Sequence, residues 1–355
     1  CSRPNRKPKM ITSIPLPWQP KIWQTQLSGA VTHVKDLADI LGLSLDGADW
    51  DPNPAFPMRV PMPYVYRMRR GDRSDPLLRQ VVPELAEKAS APGFESDPLQ
   101  EASATLAPGL MQKYRGRVLV IAAENCAVNC RYCFRRNFPY AHHRHDSTFP
   151  MLNHVRDDPS IREVILSGGD PLIMPDERLS ILVANIEDIP HVNRLRIHTR
   201  LPVVIPQRIS EPLIKILANT RLTTVVVAHF NHANEIDENV SVAFAALRQA
   251  GITLLNQSVL LAGVNNNDVT LCDLSEALFE IGILPYYLHL PDRVTGTSHF
   301  HVGIDTAVRL HHAIQSKLPG YLVPKLVQET PGRPAKELIT SDSLPPASTR
   351  IDTLV

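Results

Sequence analysis

Short runs of β-branched and aliphatic residues recur along the chain from residue 117 onwards. Six of them have the length of a β-strand: Val118–Ala123, Glu163–Leu166, Arg194–His198, Thr223–His229, Ile252–Gln257 and Leu284–His289. Amphipathic stretches separate these runs, and a further one follows at about Gly303–Leu318. After a longer first interval the runs begin about 30 residues apart, which is the size of a βα unit. The pattern therefore predicts six consecutive βα units.

Six units predict a parallel sheet that curves into part of a barrel, since a complete barrel has eight. The remaining gap would admit a large substrate or a covering segment. Before residue 110 the pattern differs, because Ile22–Leu43 carries apolar residues at helical spacing and Pro76–Lys88 predicts a second helix. We therefore expect an α/β fold, a partial (β/α)6 barrel with a mainly helical N-terminal region.

The chain divides into five predicted segments. Residues 1–9 are rich in Pro, Lys and Arg and precede Met10, so we interpret them as an extension or a disordered segment. The helical region spans 10–110 and the barrel 111–320. A C-terminal segment follows at 321–340, and residues 341–355 are interpreted as a flexible tail because they are rich in Ser and Pro.

Polar and glycine motifs follow every one of the six runs. They are Cys126–Cys133, Ser167–Asp170, His198–Arg200, His229–His232, Asn256–Ser258 and Asp292–Arg293. The carboxyl ends of parallel strands meet at one edge of a sheet, and barrel enzymes build their active sites at that edge. The sequence therefore predicts one active site made from several strand ends.

Charge and composition restrict the classes of partner. Lys and Arg total 37 and Asp and Glu total 36, so no basic field indicates a nucleic-acid partner. The chain has no apolar run long enough to span a bilayer, and its first thirty residues have no signal-peptide pattern. Its five cysteines are odd in number and unevenly spaced, which disfavours a disulfide framework. We expect a cytoplasmic enzyme.

Three of the cysteines form the strongest chemical motif. Cys126, Cys130 and Cys133 have the spacing Cys-x3-Cys-x2-Cys. A [4Fe–4S] cluster usually has four Cys ligands, so three would leave one iron open for a substrate such as S-adenosylmethionine. The alternative is a structural zinc site with His142 or His143 as the fourth ligand. The spacing and the position at a strand end favour the cluster.

A glycine turn follows the second run. Ser167, Gly168, Gly169 and Asp170 form a segment whose backbone can approach a ligand closely because two residues lack a Cβ atom. Free N–H groups in such a turn would suit a carboxylate. The alternative is an ordinary βα turn.

Together these motifs resemble the lysine 2,3-aminomutase family of radical S-adenosylmethionine enzymes. The similar segments are NCRYCFRRNFPY, LSGGDPL, LPVVIPQRI, HFNHANEID, LLNQSVLL, PYYLHLPD and GYLVPKL, in that order between about Asp75 and Lys336. The resemblance implies a radical-enzyme barrel with a [4Fe–4S] cluster, S-adenosylmethionine and pyridoxal 5'-phosphate. It implies that an adenosyl radical takes hydrogen from C3 of L-lysine and that the amino group moves from C2 to C3.

The resemblance also implies roles for individual residues. Lys336 would bind pyridoxal phosphate as a Schiff base, with Lys325 as the rival, and Arg117 would lie near that cofactor. Ser167, Gly168, Gly169, Asp170, His229 and Gln257 match positions that bind cofactors, S-adenosylmethionine above all. Arg135 would bind the carboxylate of lysine, and Asp292 and Glu329 would bind its distal ammonium. Glu329 and the residues Arg333 and Pro334 depart from the usual family pattern.

Two segments, DPLLRQVVPE and APGFESDPL, look closest to the subgroup that supplies β-lysine, in its R form, for elongation factor P. The chain ends 19 residues after Lys336, which favours the same subgroup. The resemblance implies a lysine ligase and a reductant protein as functional partners and allows a homo-oligomer. Three alternatives remain: an aminomutase that releases free β-lysine or acts on another amino acid, a radical enzyme that modifies RNA or protein, and a non-enzymatic iron–sulfur protein with an electron-transfer or structural role.

Overall fold

One open sheet of ten strands organises the molecule. The computed structural model describes residues 23–143 and 148–343, so the predicted extension at 1–9 and most of the predicted tail lie outside the described residues. The strands, in chain order and in spatial order, are β1 (Thr105–Ala107), β2 (Leu110–Tyr114), β3 (Arg117–Ala123), β4 (Glu163–Gly168), β5 (Arg194–Thr199), β6 (Thr223–Ala228), β7 (Thr253–Val259), β8 (Leu284–His289), β9 (Lys325–Gln328) and β10 (Glu337–Leu338). The sheet ends at β1 and β10, so the barrel is incomplete.

The six predicted strands are confirmed as β3 to β8, and each pairs with the next in parallel. Their boundaries differ from the prediction by at most two residues because β-branched runs fit a pleated, buried surface. A seventh parallel strand, β9, pairs with β8. It has four residues, too few for a recognisable sequence pattern. Strands β1, β2 and β10 add antiparallel pairs at the two edges.

Eleven α-helices lie within the described ranges. They are α1 (Trp23–Ser28), α2 (Val34–Leu41), α3 (Met62–Val65), α4 (Pro76–Arg79), α5 (Leu152–Asp157), α6 (Asp176–Glu187), α7 (Leu201–Val204), α8 (Glu211–Ala218), α9 (Glu238–Gln249), α10 (Asp268–Glu280) and α11 (Ile304–Gln315). Helix α11 confirms the amphipathic stretch predicted at about residues 303–318. None of these helices is long and apolar enough to cross a membrane.

The hydrophobic core lies between the sheet and the helices that connect its strands. Val164 and Leu166 of β4 and Ile197 of β5 are fully buried, as are Leu179 and Leu182 of α6. Burying such a side chain contributes about 1.5–3 kcal/mol each. The buried strands fix the position of the carboxyl-terminal edge, where the predicted site motifs lie.

The N-terminal region contains less helix than predicted. The helix expected over residues 22–43 is two helices, because the chain is extended at Val31, which pairs with Val60 through two backbone hydrogen bonds of 2.8 and 2.9 Å. The helix expected over residues 76–88 ends at Arg79. Pro83 lacks an N–H group and disfavours helical geometry at the residue before it, and only a 3-10 turn follows at Leu85–Lys88.

This N-terminal region packs against the loop that carries the three cysteines. The Glu87 carboxylate accepts hydrogen bonds from Arg131 Nε at 2.7 Å and from Arg136 Nη2 at 2.6 Å. Arg131 also donates to the carbonyl oxygen of Phe56 at 2.9 Å. Arg131 is fully buried, so its charge needs these partners. The N-terminal region thereby holds the outer side of the cysteine loop.

Candidate active site

A cavity of about 410 Å³ opens at the carboxyl ends of the parallel strands and extends into the barrel. Every residue that the sequence predicted for the site lines this cavity: Cys126, Cys130, Cys133, Arg117, Arg135, Ser167, Gly168, Gly169, Asp170, His229, Gln257, Asp292, Glu329 and Lys336. Lys325, the rival of Lys336, is exposed at the start of β9, away from the cavity lining. The structure thus brings residues from seven strand ends and their loops to one chamber.

The glycine turn packs directly against the backbone of the cysteine loop. Gly169 N donates to Ala123 O at 2.7 Å, and Asp170 N donates to Asn125 O at 2.9 Å. A Cβ atom on Gly169 would lie 2.7 Å from the carbonyl carbon of Asn125, and Gly168 has a φ of +109°. The expectation that these N–H groups are free for a ligand carboxylate is therefore wrong for Gly169 and Asp170. The two glycines allow the backbone of the glycine turn to pack directly against the backbone of the cysteine loop.

The Asp170 carboxylate connects β4 to β5. It accepts hydrogen bonds from Thr199 Oγ1 at 2.7 Å, from the N–H groups of Arg200 and Leu201 at 2.7 and 2.8 Å, and from Leu172 N at 3.0 Å. Burial raises the pKa of this carboxyl group, and the four donors oppose the increase. Asp170 therefore positions the two strand ends. Both oxygens of its carboxylate already accept hydrogen bonds within the protein, so neither is free for the predicted contact with a cofactor.

The three cysteines face the cavity as free thiols. Burial raises the pKa of Cys126 and raises that of Cys133 to about 11. Ionised thiolates at this site therefore need compensating positive charge, which iron ions supply. The protein adds cations of its own: Arg200 Nη1 lies 2.8 Å from Cys130 Sγ, and Arg135 and Arg136 oppose the increase in the pKa of Cys133. The donor set fits an iron–sulfur cluster.

The zinc alternative finds little support in the geometry. His143 Nδ1 accepts a hydrogen bond from Gly109 N at 3.3 Å, and its ring stacks on Phe138. His142 and His143 lie outside the cavity that the cysteines line. Within residues 23–143 and 148–343, no three His, Cys, Asp or Glu side chains converge on one metal-ion position.

A chain of alternating charges runs from the cysteine loop to Lys336, and all of its members except Glu101 line the cavity. Arg135 binds Glu101 through two hydrogen bonds of 2.8 Å. Lys113 Nζ lies 3.0 Å from Glu101 Oε1 and 2.8 Å from Glu329 Oε1. The other oxygen of Glu329 accepts a hydrogen bond from Lys336 Nζ. Each of these five charged groups thus has a neighbour of opposite charge.

The charges in this chain shift the titration of its carboxyl groups. Burial alone would raise the pKa of Glu101 and Glu329, but the neighbouring cations lower both to about 2. Asp292 behaves differently, because burial and the nearby Glu329 raise its pKa to about 7, against the opposing effect of Lys336 and Lys113. The two predicted ammonium-binding acids therefore differ in charge state near neutral pH.

Sequence reasoning missed Glu101 and Lys113, which lie on the short elements before β3. Their partners are 34 and 216 residues away along the chain, so no local pattern reveals them. It also assigned no role to Arg200, which lies in a recognised strand-end motif. Arg200 donates to Gln80 Oε1 at 2.8 Å and to Tyr132 Oη, and its position beside Cys130 is clear only in three dimensions.

Histidines and tyrosines complete the lining. His229 Nε2 lies 2.8 Å from Tyr132 Oη, and the two rings stack with centroids 5.6 Å apart. His198 Nε2 is buried without a hydrogen-bond partner among the residues that the structure describes, and burial lowers the pKa of His198 well below its usual value. A buried nitrogen without a partner indicates room for a polar ligand group.

Comparisons with known proteins agree with this site. Residues 114–196 match the model of a family described as a 4Fe-4S single cluster domain. The chain is 46% identical to L-lysine 2,3-aminomutase of Escherichia coli (strain K12), over 88% of this chain and 93% of that protein. It is 46% identical to L-lysine 2,3-aminomutase of Haemophilus influenzae, over 91% of this chain and 98% of that protein.

The chain belongs to the L-lysine 2,3-aminomutase family. This family consists of isomerases, and membership implies a [4Fe–4S] cluster, S-adenosylmethionine and pyridoxal phosphate. Among solved structures, a radical SAM methyltransferase from Sphaerobacter thermophilus aligns with a TM-score of 0.45 and 15% identity, over 62% of this chain and 68% of that chain.

The contact between the two loops makes a prediction about Gly169. Gly169→Ala places a methyl group against the backbone of Asn125, so we expect a loss of about 1–3 kcal/mol of stability and a reduced iron content after reconstitution. Gly320→Ala is the matched control, because nothing lies within 4 Å of its Cβ position. Thermal unfolding and iron analysis measure both effects. Equal stability and equal iron content of the two variants would mean that the contact between Gly169 and Asn125 does not constrain the loop.

Proposed function

We propose that this chain is a lysine 2,3-aminomutase that converts (S)-α-lysine into (R)-β-lysine with the help of a [4Fe–4S] cluster, S-adenosylmethionine and pyridoxal phosphate. The observation that carries the proposal is the single cavity, which holds the three thiols at one side and Lys336 beside two carboxyl groups at the other. The family relationship supports the reaction, and the charges of the cavity support lysine as substrate.

Cys126, Cys130 and Cys133 would hold the cluster, and the loop around them would present its open iron to the cavity. Bound there, such a cluster would supply an electron for the cleavage of S-adenosylmethionine, and pyridoxal phosphate on Lys336 would supply an aldehyde for a substrate amine. The backbone contacts of Gly169 and the ion pairs of Glu87 fix the loop from both sides. This rigidity positions the reacting groups and limits the access of water.

Lys336 would carry pyridoxal phosphate, because its amine faces the cavity beside Glu329. The phosphate needs a cation that other groups do not neutralise. Arg117 satisfies that condition, since no carboxylate among the described residues lies within ion-pair distance of it and its guanidinium stacks on the Tyr114 ring at 4.6 Å. The unpartnered nitrogen of His198 offers a further polar contact in the same cavity.

Lysine itself has a carboxylate at one end and an ammonium at the other. The forked guanidinium of Arg135 suits the carboxylate, and Arg135 lies two residues beyond Cys133, at the cluster side of the cavity. Asp292 and Glu329 suit the distal ammonium and lie beside Lys336. We call these two ends of the cavity its poles: Arg135 forms one, and Asp292 with Glu329 forms the other. Their charges are opposite to those at the two ends of an extended lysine.

The direct test is an anaerobic assay of the reconstituted protein with pyridoxal phosphate, S-adenosylmethionine, a strong reductant and (S)-α-lysine. We expect (R)-β-lysine, identified by chiral mass spectrometry. Lys336→Ala should lose at least about a thousandfold in rate because the cofactor loses its covalent anchor. Lys325→Ala, on the far side of β9, is the control and should retain activity.

Two results of this assay would contradict parts of the proposal. Formation of 5′-deoxyadenosine without β-lysine would retain the radical chemistry and remove lysine as the substrate. Loss of activity in Lys325→Ala with full activity in Lys336→Ala would transfer the cofactor to the rival lysine.

The raised pKa of Asp292 makes a prediction about pH. With a pKa of about 7, Asp292 is largely protonated at about pH 6 and ionised at about pH 8. Only the ionised form attracts an ammonium, so the affinity for lysine should rise about tenfold across this range. The α-amine of lysine also loses protons as pH rises, so Asp292→Asn is the necessary comparison. Calorimetric titration should show a clearly smaller rise in that variant, and an identical rise would contradict the role of Asp292.

We further propose that the product serves the modification of elongation factor P, in concert with a lysine ligase and a reductant protein. The resemblance of the DPLLRQVVPE and APGFESDPL segments supports this assignment. Deletion of the gene should leave the factor without β-lysine, as measured by the intact mass of the factor. An unchanged mass would remove this role and leave the chemistry untouched.

A further inference from the structure

Both charged poles that we assign to lysine already have partners within the protein. At one pole, the two oxygens of Glu101 bind Nε and Nη2 of Arg135, which is the fork that a substrate carboxylate would use. At the other pole, Lys113 Nζ donates to Glu329 Oε1 at 2.8 Å, where a substrate ammonium would bind. Neither Glu101 nor Lys113 belongs to the set that the sequence predicted.

Glu101 and Lys113 also bind each other. Their charged atoms lie 3.0 Å apart, and only 3% and 19% of the two side chains are exposed. The pair therefore presents a carboxylate towards Arg135 and an ammonium towards Glu329, joined by an internal ion pair. These are the two charged groups of lysine, in the orientation that the cavity requires.

We propose that Glu101 and Lys113 form a built-in counterpart of the substrate, which neutralises the two poles of the cavity until a ligand with both charges replaces it. Lys113 acts from the cavity lining, and Glu101 acts from an adjoining pocket that Arg135 also lines. The inference rests on the proposed binding of lysine by Arg135, Asp292 and Glu329. It assigns Glu101 and Lys113 as specificity-determining residues that act through the groups they neutralise.

The physical reason is the cost of leaving a buried charge without a partner. A ligand with only a carboxylate would compete with Glu101 for Arg135 and would leave the other pole closed by Lys113. A ligand with only an ammonium would compete with Lys113 for Glu329 and would leave Arg135 closed by Glu101. A ligand with both groups takes both poles, and the released Glu101 and Lys113 still neutralise each other.

The positions of the pair agree with this role. Glu101 begins a 3-10 turn directly after Gln100, whose φ of +49° lies in the left-handed region, and Lys113 lies on the antiparallel strand β2 between β1 and β3. Both residues thus lie outside the seven parallel strands. Arg135 follows the cysteine loop and Glu329 follows β9, so the pair bridges two elements that the barrel holds apart.

The test compares three ligands of similar length on the reconstituted holoenzyme by calorimetric titration: L-lysine, L-norleucine, which lacks the distal ammonium, and cadaverine, which lacks the carboxylate. Glu101→Gln opens the Arg135 pole, so norleucine should gain about tenfold in affinity, the effect of one charge-assisted hydrogen bond, while cadaverine gains nothing. In the holoenzyme Lys336, the other cation on Glu329, is taken up by pyridoxal phosphate. Lys113→Met then removes the remaining cation from Glu329, so cadaverine should gain about tenfold while norleucine gains nothing.

Lys88→Met is the matched control, because Lys88 forms an ion pair with Asp51 at 2.9 Å outside the cavity lining. It should leave all three affinities unchanged. Thermal unfolding of each variant measures any loss of the fold itself.

The outcomes separate this inference from the proposed function. Weaker binding of lysine in both variants, without a gain for either analogue, would overturn the inference and leave lysine as the substrate. An equal loss of affinity for all three ligands, together with a lower melting temperature, would also overturn it, since the pair would then stabilise the fold only. Failure of the wild-type protein to bind lysine would overturn the proposed function, and reciprocal gains of the two analogues would still support an internal occupant of the two poles.

Discussion

The close approach of Gly168 and Gly169 to the segment between Ala123 and Cys126 is the constraint on which the site depends. No side chain fits between these two backbones, and two hydrogen bonds join them. The contact ties the end of β3 to the end of β4, and Asp170 extends the connection to β5. The cysteines therefore have a fixed position relative to the barrel, although they lie on a loop.

The cavity that results has an ordered distribution of charge. Cations and carboxylates alternate from Arg135 to Lys336, so each buried charge has a neighbour of opposite sign. Such a chain avoids the cost of isolated charges in a protein interior. It also gives the cavity two poles, which suits a ligand that carries a positive and a negative group at its ends.

The sequence predicts the barrel and three members of the charge chain (Arg135, Glu329 and Lys336) but not Glu101 and Lys113, which connect them, and the difference has a physical origin. The strands are short runs of β-branched residues with strand-end motifs, which are local signals, so Thr223–Ala228 and Leu284–His289 were found almost to the residue. The glycine turn is recognisable in the sequence, but nothing local reveals that the N–H groups of Gly169 and Asp170 bond to the carbonyl oxygens of Ala123 and Asn125. Glu101 and Lys113 depend on partners far along the chain, and the irregular N-terminal region follows its packing against the cysteine loop more than its own periodicity.

The proposed reaction requires that one cavity brings lysine and S-adenosylmethionine together. Hydrogen transfer tests it most directly: the reconstituted protein is incubated with lysine deuterated at C3, and 5′-deoxyadenosine is recovered and weighed by mass spectrometry, with lysine deuterated at C5 as the control. We expect deuterium in 5′-deoxyadenosine from the C3-labelled lysine alone. Cleavage of S-adenosylmethionine with no deuterium transferred from C3 would mean that the two molecules do not meet in this cavity, and the proposed reaction would be wrong.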